Sequence, residues 1–128
     1  MSDVVGYRKR RGVEAFMLAF AIVLGMGGYL LTHLNRDAAL PPEWPWALAA
    51  LLTIGVALHA VIRWRLPYAD PLILPLVMLL NGIGLAMIHR LDLGTSPRMH
   101  SAELQLMWTA IAAVACCLVI VFLRDYRV

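Results

Sequence analysis

Ala15-Phe-Met-Leu-Ala-Phe-Ala-Ile-Val-Leu-Gly-Met-Gly-Gly-Tyr-Leu-Leu-Thr-His-Leu34 runs for 20 residues without an Asp, Glu, Lys or Arg. Three more stretches share this property: Trp46–Ile62, Pro71–Ile88 and Leu104–Leu123. An α-helix rises about 1.5 Å per residue, so each stretch is long enough as a helix to span a hydrocarbon layer of about 30 Å. The expected fold is all-α: a polytopic membrane protein with four transmembrane helices at about 13–34, 46–62, 71–88 and 104–123. Residues 1–128 form a single membrane module, because connectors of 8 to 15 residues are too short to fold alone.

Composition agrees. The chain is 62% hydrophobic with a mean hydropathy of +0.76, more apolar surface than a soluble domain of 128 residues could cover with so few charges. Its net charge of +3 does not point to nucleic acid, because the basic residues follow the membrane pattern instead. Arg8–Arg11, Arg63, Arg65, Arg124 and Arg127 fall on one side of four crossings, and Arg36, Arg90 and Arg98 on the other. Eight against three is the positive-inside bias, which places both termini in the cytoplasm. The Tyr7–Arg11 stretch resembles the n-region of a signal peptide, but the apolar run behind it is too long and no cleavage site follows Leu34, so an uncleaved first helix is expected. Cys116 and Cys117 are neighbours on a helix, about 100° apart, and form no bridge.

Within the helices, small and polar residues are the candidates for packing or for lining a groove. Gly25, Gly27 and Gly28 lie mid-helix, and Ala21 with Gly25 makes a close-approach pair. Glu14 sits near a helix N-terminus, where the dipole favours a negative charge. Ala49, Thr53 and Ala57 form a small-residue stripe on the second helix. His59 reads as an interfacial histidine bonded to a neighbour, against a proton-relay alternative. Trp44, Trp46, Arg63, Trp64, Arg65 and Tyr68 read as interfacial anchors. Asp70-Pro71 reads as an N-cap followed by a first helical residue, and Pro75, one turn on, as a site of lost backbone bonding. Asn81, near mid-membrane, needs a partner inside the bundle, and Gly82 and Ala86 offer a close face. The fourth helix opens with Gln105 and Trp108 and continues through Thr109, Ala113 and Cys117. His89-x-x-Asp92 and His100-x-x-Glu103 carry metal-ligand chemistry, but in a loop rich in Gly, Ser and Pro their spacing is weak support. No metal or cofactor is expected. No phosphate loop, HExxH, serine-triad context or CxxC is present.

The stretch Tyr68-Ala-Asp-Pro-Leu-Ile-Leu-Pro-Leu-Val-Met-Leu-Leu-Asn-Gly-Ile-Gly-Leu-Ala-Met-Ile-His-Arg-Leu-Asp-Leu93 resembles the FtsW/RodA/SpoVE (SEDS) family, most of all its branch in high-GC Gram-positive bacteria. Asp70, Pro71, Arg90 and Asp92 carry the motif. Gln105-x-x-Trp108-Thr109 and Phe122-Leu-Arg-Asp-Tyr-Arg127 are similar to the family's next helix and its exit, and weaker similarity covers the rest of the chain. The resemblance implies a peptidoglycan glycosyltransferase that polymerises lipid II in the bacterial cytoplasmic membrane, in cell-shape or division machinery, partnered by a class B penicillin-binding transpeptidase. The family has about ten or more helices, and its essential aspartate lies in an outer loop well downstream, a role that does not pass to Asp92. The resemblance therefore implies an N-terminal fragment of a larger helical bundle, inactive alone and packed against the remainder of that bundle. Other readings are a stand-alone accessory protein of the cell-wall machinery, a lipid II flippase, and a small transporter.

Overall fold

A computed structural model describes residues 11–66, 69–95 and 100–123. Four helices fill it: α1 (Arg11–Asp37), α2 (Trp44–Arg65), α3 (Ile73–Gly94) and α4 (Ser101–Phe122). Each is long and apolar enough to cross a membrane. Short connections make consecutive helices run in opposite directions. One end of the bundle carries Arg11, Arg65 and Ile73; the other carries Asp37, Trp44, Gly94 and Ser101. Large apolar side chains such as Phe16, Phe20, Val56, Leu80 and Phe122 are exposed on the outside of these four helices, as expected of membrane-spanning segments.

α1 and α3 are parallel and pack most extensively, with Gly25 against Gly82, Gly28 against Ala86 and His33 against His89. At their crossing a Cβ on Gly82 would stand 2.7 Å from the Gly25 Cα, and one on Gly25 would stand 2.8 Å from the Gly82 Cα. Only two glycines let the backbones approach this closely. Around the crossing, Leu18, Ile22, Met26 and Tyr29 of α1 meet Leu51, Ile54 and Leu58 of α2 and Met78 and Leu85 of α3. Leu106, Ala110, Ala113 and Cys117 lay one face of α4 on this core.

The helix ends depart from the apolar runs for identifiable reasons. α2 begins at Trp44, because Pro45 suits a first turn whose N–H groups have no intrahelical acceptor. α3 begins at Ile73 instead of Pro71: the Asp70 carboxylate accepts the Leu72 N–H at 2.9 Å, an Asx turn ahead of the helix and not an N-cap on it. Pro75 thus falls in the first turn and removes no helical hydrogen bond. α1 ends through Ala38, whose φ of 53° is left-handed and whose N–H bonds the Leu34 carbonyl at 3.0 Å.

α3 continues to Gly94, so His89, Arg90 and Asp92 are helical, not loop residues. Asp92 is buried, and its Oδ2 accepts the Ala102 N–H at 2.9 Å. That bond satisfies one of the free donors of the first turn of α4 from across the bundle, and α4 starts at Ser101. Asp92→Ala is expected to cost about 1–2 kcal/mol of stability, read as a lower thermal midpoint in detergent, with hydrogen exchange increasing first at 101–104. Unchanged exchange there would rule the cap out.

The second-helix stripe lies off the core that these four helices share. Ala49, Thr53 and Ala57 are exposed, and the buried face is Ala47, Leu51, Ile54, Gly55 and Leu58. In a helix apolar all round, small residues at fourfold spacing occur on either face.

Candidate functional site

A cavity of about 780 Å³ opens at the α1 C-terminal end of the bundle. Tyr29 and His33 of α1, His89 and Asp92 of α3, Glu43 before α2, and His100 and Glu103 at the start of α4 line it. Three of the four histidines of the chain therefore converge on one space.

Its inner wall is ordered by rings. His89 lies 4.3 Å from the Tyr29 ring and stacks on His33 at 5.2 Å between centroids. His33 Nδ1 and His89 Nε2 are 2.9 Å apart, so one carries the proton and the other accepts it. His33 Nε2 faces the Asp37 carboxylate at 3.4 Å. In a neutral His33 ring with its proton on that Nε2, Nδ1 accepts from His89 Nε2. The exposed rim is formed by Glu43, His100 and Glu103, whose ligating atoms all lie within 4.8 Å of one another. His100 Nδ1 is 3.0 Å from Glu103 Oε1. The Glu43 carboxyl is held above its ordinary range, first by a hydrogen bond shared with Glu103, then by partial desolvation and repulsion from that same carboxylate.

The opposite end holds a second polar group. Glu14 is completely buried in the first turn of α1, its Oε1 2.7 Å from His59 Nδ1 and its Oε2 in an ion pair with Arg63. Arg63 is therefore a buried partner and not an interfacial anchor, whereas Trp64 is exposed with the Arg65 guanidinium 4.3 Å above its ring. Sequence reading placed Glu14 at a helix end for its dipole alone. His59 and Arg63, one turn apart on α2, are the signal that could have found its partners.

The remaining candidates are dispersed. Asn81 Oδ1 receives the Thr109 hydroxyl at 3.1 Å, a proton shared with the Gln105 carbonyl at 2.8 Å. Gly82 lies at the α1–α3 crossing, whereas a Cβ on Gly84 would meet nothing within 4 Å. Gln105 is half-buried, Trp108 is exposed on α4, and Arg90 is exposed on α3. Pro71 precedes α3 beside Asp70. Arg8, Tyr68, Arg98, Arg124 and Arg127 lie outside the described residues.

No family model matches the chain, and no solved structure does. Curated relatives do. Over 122 residues, 92% of the chain, it is 42% identical to the "Peptidoglycan glycosyltransferase RodA" of Mycobacterium tuberculosis and to that of Mycobacterium bovis. Over 126 residues it is 37% identical to the protein of the same name from Mycobacterium leprae. The chain spans about a quarter, 26%, of the length of these relatives. Four apolar helices and this similarity over nearly the whole chain give one conclusion: the chain belongs to the FtsW/RodA/SpoVE family, in its high-GC Gram-positive branch.

Proposed function

We propose that this four-helix module forms part of a peptidoglycan glycosyltransferase that polymerises lipid II, with the cavity end outside the cytoplasmic membrane and both termini in the cytoplasm. The observation that carries the reading is the 42% identity to proteins named for that activity. The eight-to-three distribution of basic residues supports the orientation.

In this reading the module supplies scaffold and an outward-facing cavity, and the chemistry is done elsewhere in the bundle. Asp92 is committed to capping α4, which suits a structural carboxylate rather than a reacting one. A class B penicillin-binding transpeptidase is the partner that the family resemblance implies.

A chimera tests this. The matched segment of the Mycobacterium tuberculosis RodA is replaced by this chain, and purified protein is given lipid II. Glycan strands are expected on a gel from the chimera and none from the isolated chain. A folded chimera without product, or product from the isolated chain, would overturn the assignment.

A further inference from the structure

We infer that Glu43, His100 and Glu103 form a binding site for a divalent transition-metal ion at the rim of the cavity. Their donor set is one imidazole nitrogen and two carboxylates, which suits Zn²⁺ or Mn²⁺ and carries the charge to neutralise either. The ligating atoms already cluster within 4.8 Å. Ligand atoms around a tetrahedral ion with bonds of about 2.0 Å stand about 3.3 Å apart; His100 Nδ1 and Glu103 Oε1 share a hydrogen bond at 3.0 Å, and an ion would take the place of that proton. All three side chains are exposed, so an ion that replaces the protons they now share needs only small side-chain rotations to bring in Glu43.

Placement gives the cluster a meaning beyond its composition. Glu43 ends the α1–α2 connection, and His100 and Glu103 open α4, so an ion would tie the beginnings of two helices that already pack together. All three residues line the cavity, beside the His33–His89 pair. Three protein ligands leave a fourth position for a solvent or oxyanion oxygen, the pattern of an open site and not a closed structural one. The sequence sets His89 and Asp92 near His100 and Glu103, with a spacing that gives weak support to a metal site and no metal expected. In the structure His89 and Asp92 are engaged by His33 and by the α4 backbone, and Glu43 takes their place.

The test is calorimetric titration of the full chain, metal-stripped and in detergent, with ZnCl₂ and then MnCl₂. One saturable site per chain is expected. Glu43→Gln, His100→Ala and Glu103→Gln are each expected to weaken it roughly ten-fold or more, the scale of losses at metal-site residues. His59→Ala and His89→Ala are expected to leave it unchanged. Because the three ligands are exposed, the variants keep the wild-type circular dichroism. X-ray absorption of the zinc-loaded chain is expected to show only nitrogen and oxygen neighbours at about 2.0 Å. Absence of saturable heat, binding indifferent to the Glu43 and His100 variants, or sulfur scattering from Cys116 or Cys117 would each overturn the site.

Discussion

Glu14→Ala is expected to destabilise the module by about 3–5 kcal/mol, the loss typical of removing one partner from a buried ion pair. The carboxylate is completely buried and serves two cationic or hydrogen-bonding groups of α2 at once, His59 and Arg63. Without it the Arg63 guanidinium stays in a site built around a negative charge. The purified chain in detergent is expected to unfold at a clearly lower temperature, and Glu14→Gln is expected to fall between, keeping the His59 hydrogen bond but not the charge. The double variant Glu14→Leu with Arg63→Met is expected to lie closer to wild type than Glu14→Ala does, since an apolar pair removes both desolvation costs. A Glu14→Ala loss below about 1 kcal/mol, the scale of exposed pairs, would mean that the carboxylate is solvated.

Gly82→Ala is expected to have the second large effect, about 1–3 kcal/mol, with Gly82→Leu abolishing the native packing of α1 on α3. The obstacle to a methyl group is the Gly25 Cα at 2.7 Å, and backbone cannot rotate aside as a side chain can. Gly25→Ala meets the reciprocal obstacle at 2.8 Å and is expected to behave alike. Gly84→Ala is the control: two residues away on the same helix, it faces open space and is expected to be neutral or slightly stabilising. Thermal unfolding followed by size exclusion reads all three, and equal effects at positions 82 and 84 would contradict the close crossing.

The pattern of what could be read beforehand follows from the solvent. Charge-free runs announce membrane helices because nothing else requires them, so all four helices were legible. Their ends were not, because helix and hydropathy stop at different places. The apolar run ends at Ile88, yet α3 continues through His89-Arg90-Leu91-Asp92-Leu93, held there by a cap on α4 ten residues away in sequence. Faces were equally obscure. An apolar helix has no polar side to mark its outside, so Ala49, Thr53 and Ala57 looked as suitable for burial as Leu51 and Leu58. Gly25 and Gly82 stood out individually, but that they face each other is a tertiary fact. The candidate site was half visible: His100 and Glu103 are three residues apart, whereas Glu43 arrives from another connection and the His33–His89 contact joins residues 56 apart in the chain.

The central claim is a four-crossing module with its histidine- and carboxylate-lined cavity outside the cell. Cysteine labelling in intact bacteria tests it most directly. With Cys116 and Cys117 replaced by alanine, single cysteines are placed at Ala38→Cys and Gly94→Cys on the cavity end and at Ala69→Cys on the other. A membrane-impermeant maleimide is expected to label the first two in intact cells and the third only after permeabilisation. Labelling of Ala69→Cys in intact cells, with the other two protected, would contradict the orientation and with it the role proposed for the cavity.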